Sequence, residues 1–230
     1  MFYFNGDSFT YGSELLNLSD RYSEIVSNQF KFTCLNQGQG GASNQKIFRE
    51  TIQAIATYDD IKLVSVMWTE FSRFEHFIKD AGKYGADHDG WRKVDATRLS
   101  QSQNIDFKNP SMKYVNKALG MYATEVRTPE HMIVEFLNMV LQLQTLCKAR
   151  NIKLINSFAF GQHILKENHT FVTSSPIYKL IDMSLWLTND FDWSMSRYNA
   201  DLNLPYGKGG HPLKEGHKET AKLFVKKIYG

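Results

Sequence analysis

Short apolar runs along the chain alternate with longer stretches in which apolar residues recur at helical spacing. Four runs predict strands because they are brief, apolar and bounded by polar or glycine-rich segments: 2–5, 32–35, 61–68 and 152–158. Helical spacing and capping residues predict four helices: 18–30, one from Ser43, 129–150 with Thr128 as N-cap, and one from Pro212. Strands and helices that alternate in this way form a parallel sheet covered on both faces. The pattern predicts an α/β fold.

Two long polar segments, 75–127 and 159–210, interrupt the alternation. Neither has steady periodicity, apart from a short helical pattern around 177–187. Segments of this length inside a compact domain are often functional. We interpret residues 1–230 as a single domain in which both segments are insertions over the top of the sheet. Surface decoration without a role is the alternative.

Composition excludes several classes of protein. The net charge of +3 comes from 27 basic and 24 acidic side chains that are scattered along the chain, so no nucleic-acid partner is indicated. No apolar run approaches the ~18 residues of a membrane span, and no membrane association is predicted. The first residues lack the features of a secretion signal, so a cytoplasmic location is expected. Cys34 and Cys147 have no paired spacing and are predicted to be reduced thiols.

The first candidate for chemistry is Gly6-Asp7-Ser8-Phe9, directly after the first predicted strand. Open α/β sheets bind ligands at the carboxyl ends of their strands, which is where Ser8 would lie. A serine at such a turn can face a substrate while its own amide points at a developing oxyanion. A turn with a capping serine is the alternative.

A glycine-rich segment follows the second predicted strand, from Asn36 to Asn44. Its glycines allow the backbone to approach a ligand closely, and the helix that starts after it offers N–H donors. The spacing fits neither the dinucleotide fingerprint nor a phosphate loop. A flexible connection between strand and helix is the alternative.

Polar residues also follow the third predicted strand, in Thr69-Glu70-Phe71-Ser72-Arg73. The hydroxyl of Thr69 or Ser72 could donate to an anion, and Arg73 could bind a carboxylate. A surface ion pair between Arg73 and Glu70 is the alternative.

The last candidate is His211, which lies between two glycines and Pro212 near the C-terminus. Histidine exchanges protons near neutral pH, and a proline that opens a helix could direct the ring back toward the sheet. An exposed loop histidine is the alternative. No histidine or cysteine has the spacing of metal ligands, so no metal site is predicted.

Together and in this order, the segments resemble the four sequence blocks of the SGNH (GDSL-type) hydrolase superfamily. Gly6–Phe9 is similar to the first block, Asn36–Ser43 to the second, and His211-Pro212 with the following Gly216-His217 to the last. The resemblance implies a three-layer α/β/α sandwich like that of flavodoxin, without a cofactor. It also implies these roles: Ser8 as nucleophile, His211 as its base, and the amides of Ser8 and Gly41 as oxyanion hole.

The third block departs from the superfamily pattern Gly-x-Asn-Asp, because this chain has Trp68-Thr69-Glu70-Phe71. The asparagine that usually completes the oxyanion hole is missing. Thr69 or Asn44 could replace it as a donor. Loss of one such donor typically costs ~10²–10³ in rate. The Trp-Thr form also resembles SGNH proteins that tailed phages encode.

The last block departs as well, because Lys208 stands where the superfamily has an aspartate, three residues before the histidine. His211 would then act in a dyad, use a backbone carbonyl, or pair with an acid from elsewhere. Asp201 and Asp192 are the nearest upstream candidates.

The resulting hypothesis is a serine esterase that hydrolyses a small-molecule or carbohydrate ester through an acyl-enzyme at Ser8. Asp7 and Arg73 are assigned to substrate binding. The alternative is a catalytically degenerate binding or structural module on the same fold. A flavodoxin-like nucleotide binder is disfavoured because the first loop lacks the glycines and hydroxyls that cradle phosphate. The pattern does not indicate an oligomeric state.

Overall fold

The structure, a computed structural model, describes residues 1–77, 91–95 and 117–230. The strands within these residues are β1 (Phe2–Gly6), β2 (Cys34–Asn36), β3 (Leu63–Trp68), β4 (Arg73–Phe77), β5 (Trp91–Asp95) and β6 (Lys153–Phe158). Strands β1, β2, β3 and β6 form a parallel sheet in the order β2-β1-β3-β6, and β4 pairs with β5 in an antiparallel hairpin. The four predicted strands are therefore confirmed, with ends shifted by one or two residues.

The helices are α1 (Ser8–Tyr11), α2 (Tyr22–Phe30), α3 (Asn44–Thr57), α4 (Pro129–Ala149), α5 (His163–Glu167), α6 (His169–Ser174), α7 (Met195–Asp201) and α8 (Lys214–Tyr229). The predicted caps are confirmed: the hydroxyl of Ser43 accepts from the amide of Lys46, and that of Thr128 from the amide of His131. No helix in the described parts of the chain combines the length and the apolar character that a membrane span needs.

Two predicted helix starts were too early. A separate 3₁₀ turn occupies 18–20, and α2 begins only at Tyr22. The last helix begins at Lys214 rather than Pro212, because Pro212 pairs in a short antiparallel bridge with Tyr206. That bridge holds the segment before α8 in extended form.

The side chains of the sheet alternate between two apolar cores, one on each face. Tyr3 packs in the core that α3 and α4 cover, with Ile47 and Phe136. Phe2 and Phe4 point the other way, into the core that α2 and α8 cover. Helices thus lie on both faces of the parallel sheet, which confirms the three-layer α/β/α sandwich. The thiols of Cys34 and Cys147 are free, as predicted.

The predicted insertion at 75–127 is described only in part, because 78–90 and 96–116 lie outside the described residues. Its hairpin is attached to α3 through Arg49, whose Nε and Nη2 donate to the two carboxylate oxygens of Glu75 at 2.9 and 3.0 Å. The same guanidinium lies 4.9 Å from the ring centroid of Trp91.

The second predicted insertion, 159–210, contains α5, α6 and α7. The helix predicted around 177–187 is wrong: two 3₁₀ turns, 178–180 and 183–185, stand in its place. The amide of Asp182 donates to Gln144 of α4, and its carboxylate caps Ser184. These bonds interrupt a continuous helix at Asp182.

Candidate active site

Ser8 is the first residue of α1, at the carboxyl edge of β1. The turn is tight, because a Cβ added to Gly6 would overlap the Thr10 hydroxyl and lie 2.9 Å from the carbonyl oxygen of Met67. Asp7 caps the helix, its carboxylate accepting from the amide of Phe9 at 3.0 Å. First-turn amides have no partner inside their own helix, so Ser8 combines a hydroxyl with an N–H suited to bind an anion.

The glycine-rich loop after β2 packs directly against this turn. The amide of Gln39 donates to the carbonyl of Gly6 at 3.0 Å. A Cβ added to Gly38 would lie 2.6 Å from the amide nitrogen of Tyr11, so only glycine allows the loop to approach α1 this closely. The loop is therefore held beside Ser8 by backbone contacts.

The next two glycines form a turn that faces the serine. The amide of Ala42 donates to the carbonyl of Gln39 at 3.0 Å, and Gly41 has the left-handed φ of +71°. A Cβ added to Gly40 would be 4.0 Å from the Cβ of Ser8. The predicted donor Gly41 therefore lies in a turn that is next to Ser8.

Asn44 and Thr69 are joined by reciprocal hydrogen bonds. The amide of Thr69 donates to Asn44 Oδ1 at 2.8 Å, and Asn44 Nδ2 donates to the Thr69 carbonyl at 3.1 Å. The Thr69 hydroxyl donates to Asp7 Oδ2 at 2.8 Å. A hydroxyl has only one hydrogen, so this bond uses the donor that the sequence suggested for the oxyanion hole. Asn44 Nδ2 has a second hydrogen that the pair does not use.

Asp7 and Arg73 are bound to each other rather than arranged around an open site. Arg73 Nη1 donates to Asp7 Oδ2 at 3.0 Å and to the Thr69 hydroxyl at 2.7 Å, and the guanidinium lies 5.3 Å from the Phe160 ring centroid. The Asp7 side chain is fully buried. Burial raises the pKa of Asp7, and the Arg73 charge opposes that shift. Asp7 therefore lies in the interior, which removes the basis for assigning it to substrate contact.

His211 comes from the other end of the chain to the same edge of the sheet. Its ring packs edge-on against Phe9, the neighbour of Ser8, with 5.8 Å between ring centroids. About a quarter of the side chain is exposed. Folding thus brings the imidazole next to the residue that follows the serine.

The carboxylate beside His211 is that of Glu14. Glu14 Oε2 lies 2.8 Å from His211 Nδ1 and accepts from the His211 amide at 3.3 Å, while Oε1 accepts from the amide of Gly209 at 2.8 Å. The Gly209 amide, followed by the His211 side chain, holds the pKa of Glu14 below its ordinary value. The residue is therefore ionised at neutral pH.

The two aspartates suggested from the sequence lie elsewhere. Asp201 pairs with Arg197 of its own helix at 3.7 Å, and Asp192 pairs with Lys166 at 3.4 Å. Both are mostly exposed, and each is bound to its own cation rather than to the imidazole. Sequence reasoning missed Glu14 because the contact spans almost the whole chain. The one signal was a glycine-rich segment at 207–211 that contains His211 but no acid.

No cluster of three or more His, Cys, Asp or Glu side chains suited to a metal ion occurs among residues 1–77, 91–95 and 117–230. The edge of the sheet instead offers a hydroxyl, an imidazole next to a carboxylate, and backbone donors. This set of groups is suited to acyl transfer.

Neither a family model nor a curated protein sequence matches the chain. Solved structures do. A protein from Desulfitobacterium hafniense DCB-2 assigned to the G-D-S-L lipolytic family superposes with a TM-score of 0.53 at 14% identity, covering 98% of both chains. The fold is that of the GDSL-type (SGNH) hydrolases. TesA superposes with a TM-score of 0.54 at 7% identity, covering 99% of this chain and 97% of its own.

A third structure extends the comparison. LAE5, an α/β hydrolase enzyme from the metagenome of Lake Arreo, Spain, superposes with a TM-score of 0.50 at 12% identity over 98% and 93% of the two chains. The resemblance to the SGNH superfamily is thus confirmed at the level of the fold. In this GDSL-type fold, the segments of Ser8, Gly41 and His211 meet at one edge of the sheet.

Proposed function

We propose that the protein is a serine esterase that hydrolyses a small-molecule ester through an acyl-enzyme at Ser8, with His211 as base. The observation that carries the proposal is the edge-on contact between the rings of Phe9 and His211, 5.8 Å apart. It brings an imidazole from the end of the chain next to Phe9, the residue that follows Ser8. A structural serine at a helix start would not require that neighbour.

In the first half of the reaction, Ser8 Oγ attacks the ester carbonyl and its proton passes to His211 Nε2. The tetrahedral intermediate then collapses. The bond to the alcohol oxygen breaks, and His211 returns the proton to the departing alcohol. Ser8 is left as an ester of the acyl group.

In the second half, a water molecule attacks the acyl-enzyme while His211 accepts one of its protons. Collapse of the second intermediate breaks the bond to Ser8 Oγ, and His211 returns the proton to the serine. The products are the alcohol and the carboxylic acid. The enzyme regains its starting state without a cofactor.

Negative charge develops on the former carbonyl oxygen in both halves. We assign its stabilisation to the amides of Ser8 and Gly41 together with the second hydrogen of Asn44 Nδ2. Support comes from the glycine turn next to Ser8 and from the Asn44–Thr69 pair, which orients the amide group. Each such donor contributes about 10²–10³ in rate.

Acyl groups on carbohydrate are the substrate class that we propose. Exposed tyrosines flank the site: Tyr11 is on the nucleophile helix, and Tyr206 bridges to Pro212 beside the base. Aromatic faces next to polar groups suit the apolar faces and hydroxyls of a sugar.

Replacement of the nucleophile tests the proposal. Ser8→Ala should abolish fluorophosphonate labelling and lower turnover of 4-nitrophenyl acetate by about 10⁴-fold or more, because the acyl-enzyme no longer forms. Ser19→Ala, an exposed serine in a 3₁₀ turn, is the matched control and should behave like the wild type. Unchanged turnover in Ser8→Ala would reject the mechanism.

A binding module on the same fold is the second candidate. One observation favours it: the Thr69 hydroxyl is bound to Asp7, so it is not free to replace the missing asparagine as a donor to an oxyanion. Such a module would bind an acylated sugar in both the wild type and Ser8→Ala without turnover. Isothermal titration with acetylated oligosaccharides distinguishes the two candidates.

A further inference from the structure

Glu14 lies in the segment that follows the nucleophile helix, in a left-handed backbone conformation with a φ of +67°. Its carboxylate is bound to the loop of His211 at three points, the amides of Gly209 and His211 and the imidazole Nδ1. These contacts join two segments at opposite ends of the chain. The acid thus connects the loop of the base to the segment of the nucleophile.

The protonation states follow from the bonding pattern. An ionised carboxylate can only accept hydrogen bonds, and the pKa of Glu14 is lowered by the donors around it. His211 Nδ1 must therefore carry the hydrogen in the 2.8 Å contact. In a neutral imidazole, the lone pair is then on Nε2, the atom that has to accept the Ser8 proton.

We propose that Glu14 is the positioning acid of this site: it holds His211 as the Nδ1–H tautomer and stabilises the imidazolium that forms during the reaction. The inference rests on the proposed function. In the superfamily pattern this task belongs to an aspartate three residues before the histidine, where this chain has Lys208. The inference assigns the task to Glu14, near the start of the chain.

The loop around His211 is shaped to receive this carboxylate. A Cβ added to Gly207 would lie 2.5 Å from the carboxylate carbon of Glu14, and one added to Gly209 would lie 2.9 Å from Oε2. The loop closes on itself through a bond from the Gly207 amide to the His211 carbonyl at 2.9 Å. The missing side chains at 207 and 209 therefore provide the space that Glu14 occupies.

The other acids near Ser8 cannot take this role as they are placed. The carboxylate of Asp7 is bound to Arg73, Thr69 and the Phe9 amide. Glu70 is more exposed and pairs with the Arg73 guanidinium at 3.9 Å. Among the described residues, Glu14 is the acid whose carboxylate contacts the His211 imidazole.

The first experiment measures the tautomer directly and does not depend on turnover. The protein is labelled with ¹⁵N-histidine, and the His211 signals are assigned by their loss in His211→Ala. We expect the proton on Nδ1 in the wild type and a shift toward the Nε2–H form in Glu14→Gln and Glu14→Ala. An unchanged tautomer in both folded variants would overturn the proposal.

The second experiment measures rate. Glu14→Gln should lower kcat for 4-nitrophenyl acetate by about 10²–10⁴-fold with KM within about threefold, because the base is misoriented while the binding surface is retained. Glu14→Asp should recover part of the loss. Glu130→Gln removes the same charge from an exposed residue of α4 and should match the wild type.

Gly207→Ala reduces the space that the Glu14 carboxylate occupies without changing the acid itself. The added methyl group should displace the Glu14 carboxylate and reproduce the tautomer shift and a smaller loss of kcat. Full kcat and an unchanged tautomer in this variant would contradict the proposal that the glycine at 207 makes room for the Glu14 carboxylate. A wild type that has the Nδ1–H tautomer but does not label with fluorophosphonate would reject the esterase, while still supporting Glu14 as the group that orients the imidazole.

Discussion

His211 and His217 lie in the same short segment before and within α8, yet their surroundings are opposite. His211 is partly exposed, and its Nδ1 faces the carboxylate of Glu14. His217 is fully buried, and its Nδ1 accepts from the backbone amide of Tyr22 at 3.2 Å. Burial lowers the pKa of His217 from 6.5 to about 4.

The difference shows that the hydrogen-bond partner decides what a histidine can do. A carboxylate places the hydrogen on Nδ1 and leaves the Nε2 lone pair available to accept a proton, as a base requires. A backbone N–H occupies the Nδ1 lone pair and, in an apolar core, keeps the ring neutral. His217 also stacks on the ring of Tyr22, with centroids 6.0 Å apart. It acts as a cap for the start of α2 rather than as a proton carrier.

Removal of His211, the proposed base, should have the largest effect. We expect His211→Gln to lower kcat/KM for 4-nitrophenyl acetate by about 10⁴-fold, because no base remains for Ser8. Since the side chain is partly exposed, the free energy of unfolding in urea should change by less than about 1 kcal/mol. If His211→Gln keeps a tenth of the wild-type rate, His211 is not the base, and the functional difference between the two histidines is contradicted.

The buried histidine should instead appear in the pH dependence of stability. Above pH 6.5 the ring is neutral in both states, and as the pH falls the unfolded chain gains the proton first. The contribution of His217 to stability is therefore lost between about pH 6.5 and 4, by on the order of 3 kcal/mol in total. Urea unfolding at a series of pH values, compared between the wild type and His217→Gln, isolates this loss. Parallel curves for the two proteins would contradict a neutral buried ring.

The smallest expected effect is that of His217→Gln at neutral pH. The amide oxygen of glutamine can still accept from Tyr22, but the stacked ring is lost, so the free energy of unfolding should fall by about 1–2 kcal/mol. Turnover should stay within about twofold of the wild type. A loss of turnover comparable to that of His211→Gln would mean that the two rings are coupled in catalysis.

Local patterns predicted the elements well where the physical cause is local. The apolar runs of β1 and β3 are buried on both faces of the sheet. The hydroxyls of Ser43 and Thr128 cap the helices α3 and α4, which begin directly after these two residues. The start of α8 was misjudged because Tyr206 pairs with Pro212, a contact that periodicity does not reveal.

The sequence alone was enough to indicate a parallel α/β sandwich. It also pointed to a serine, a glycine turn and a histidine as candidate site residues. Both were possible because hydrophobic spacing and turn chemistry depend on residues that are close together in the chain. Only the folded molecule decided which acid meets the imidazole and where the Thr69 hydroxyl donates. Both contacts join residues far apart in the chain, and their geometry depends on how the layers pack. No short-range pattern carries that information.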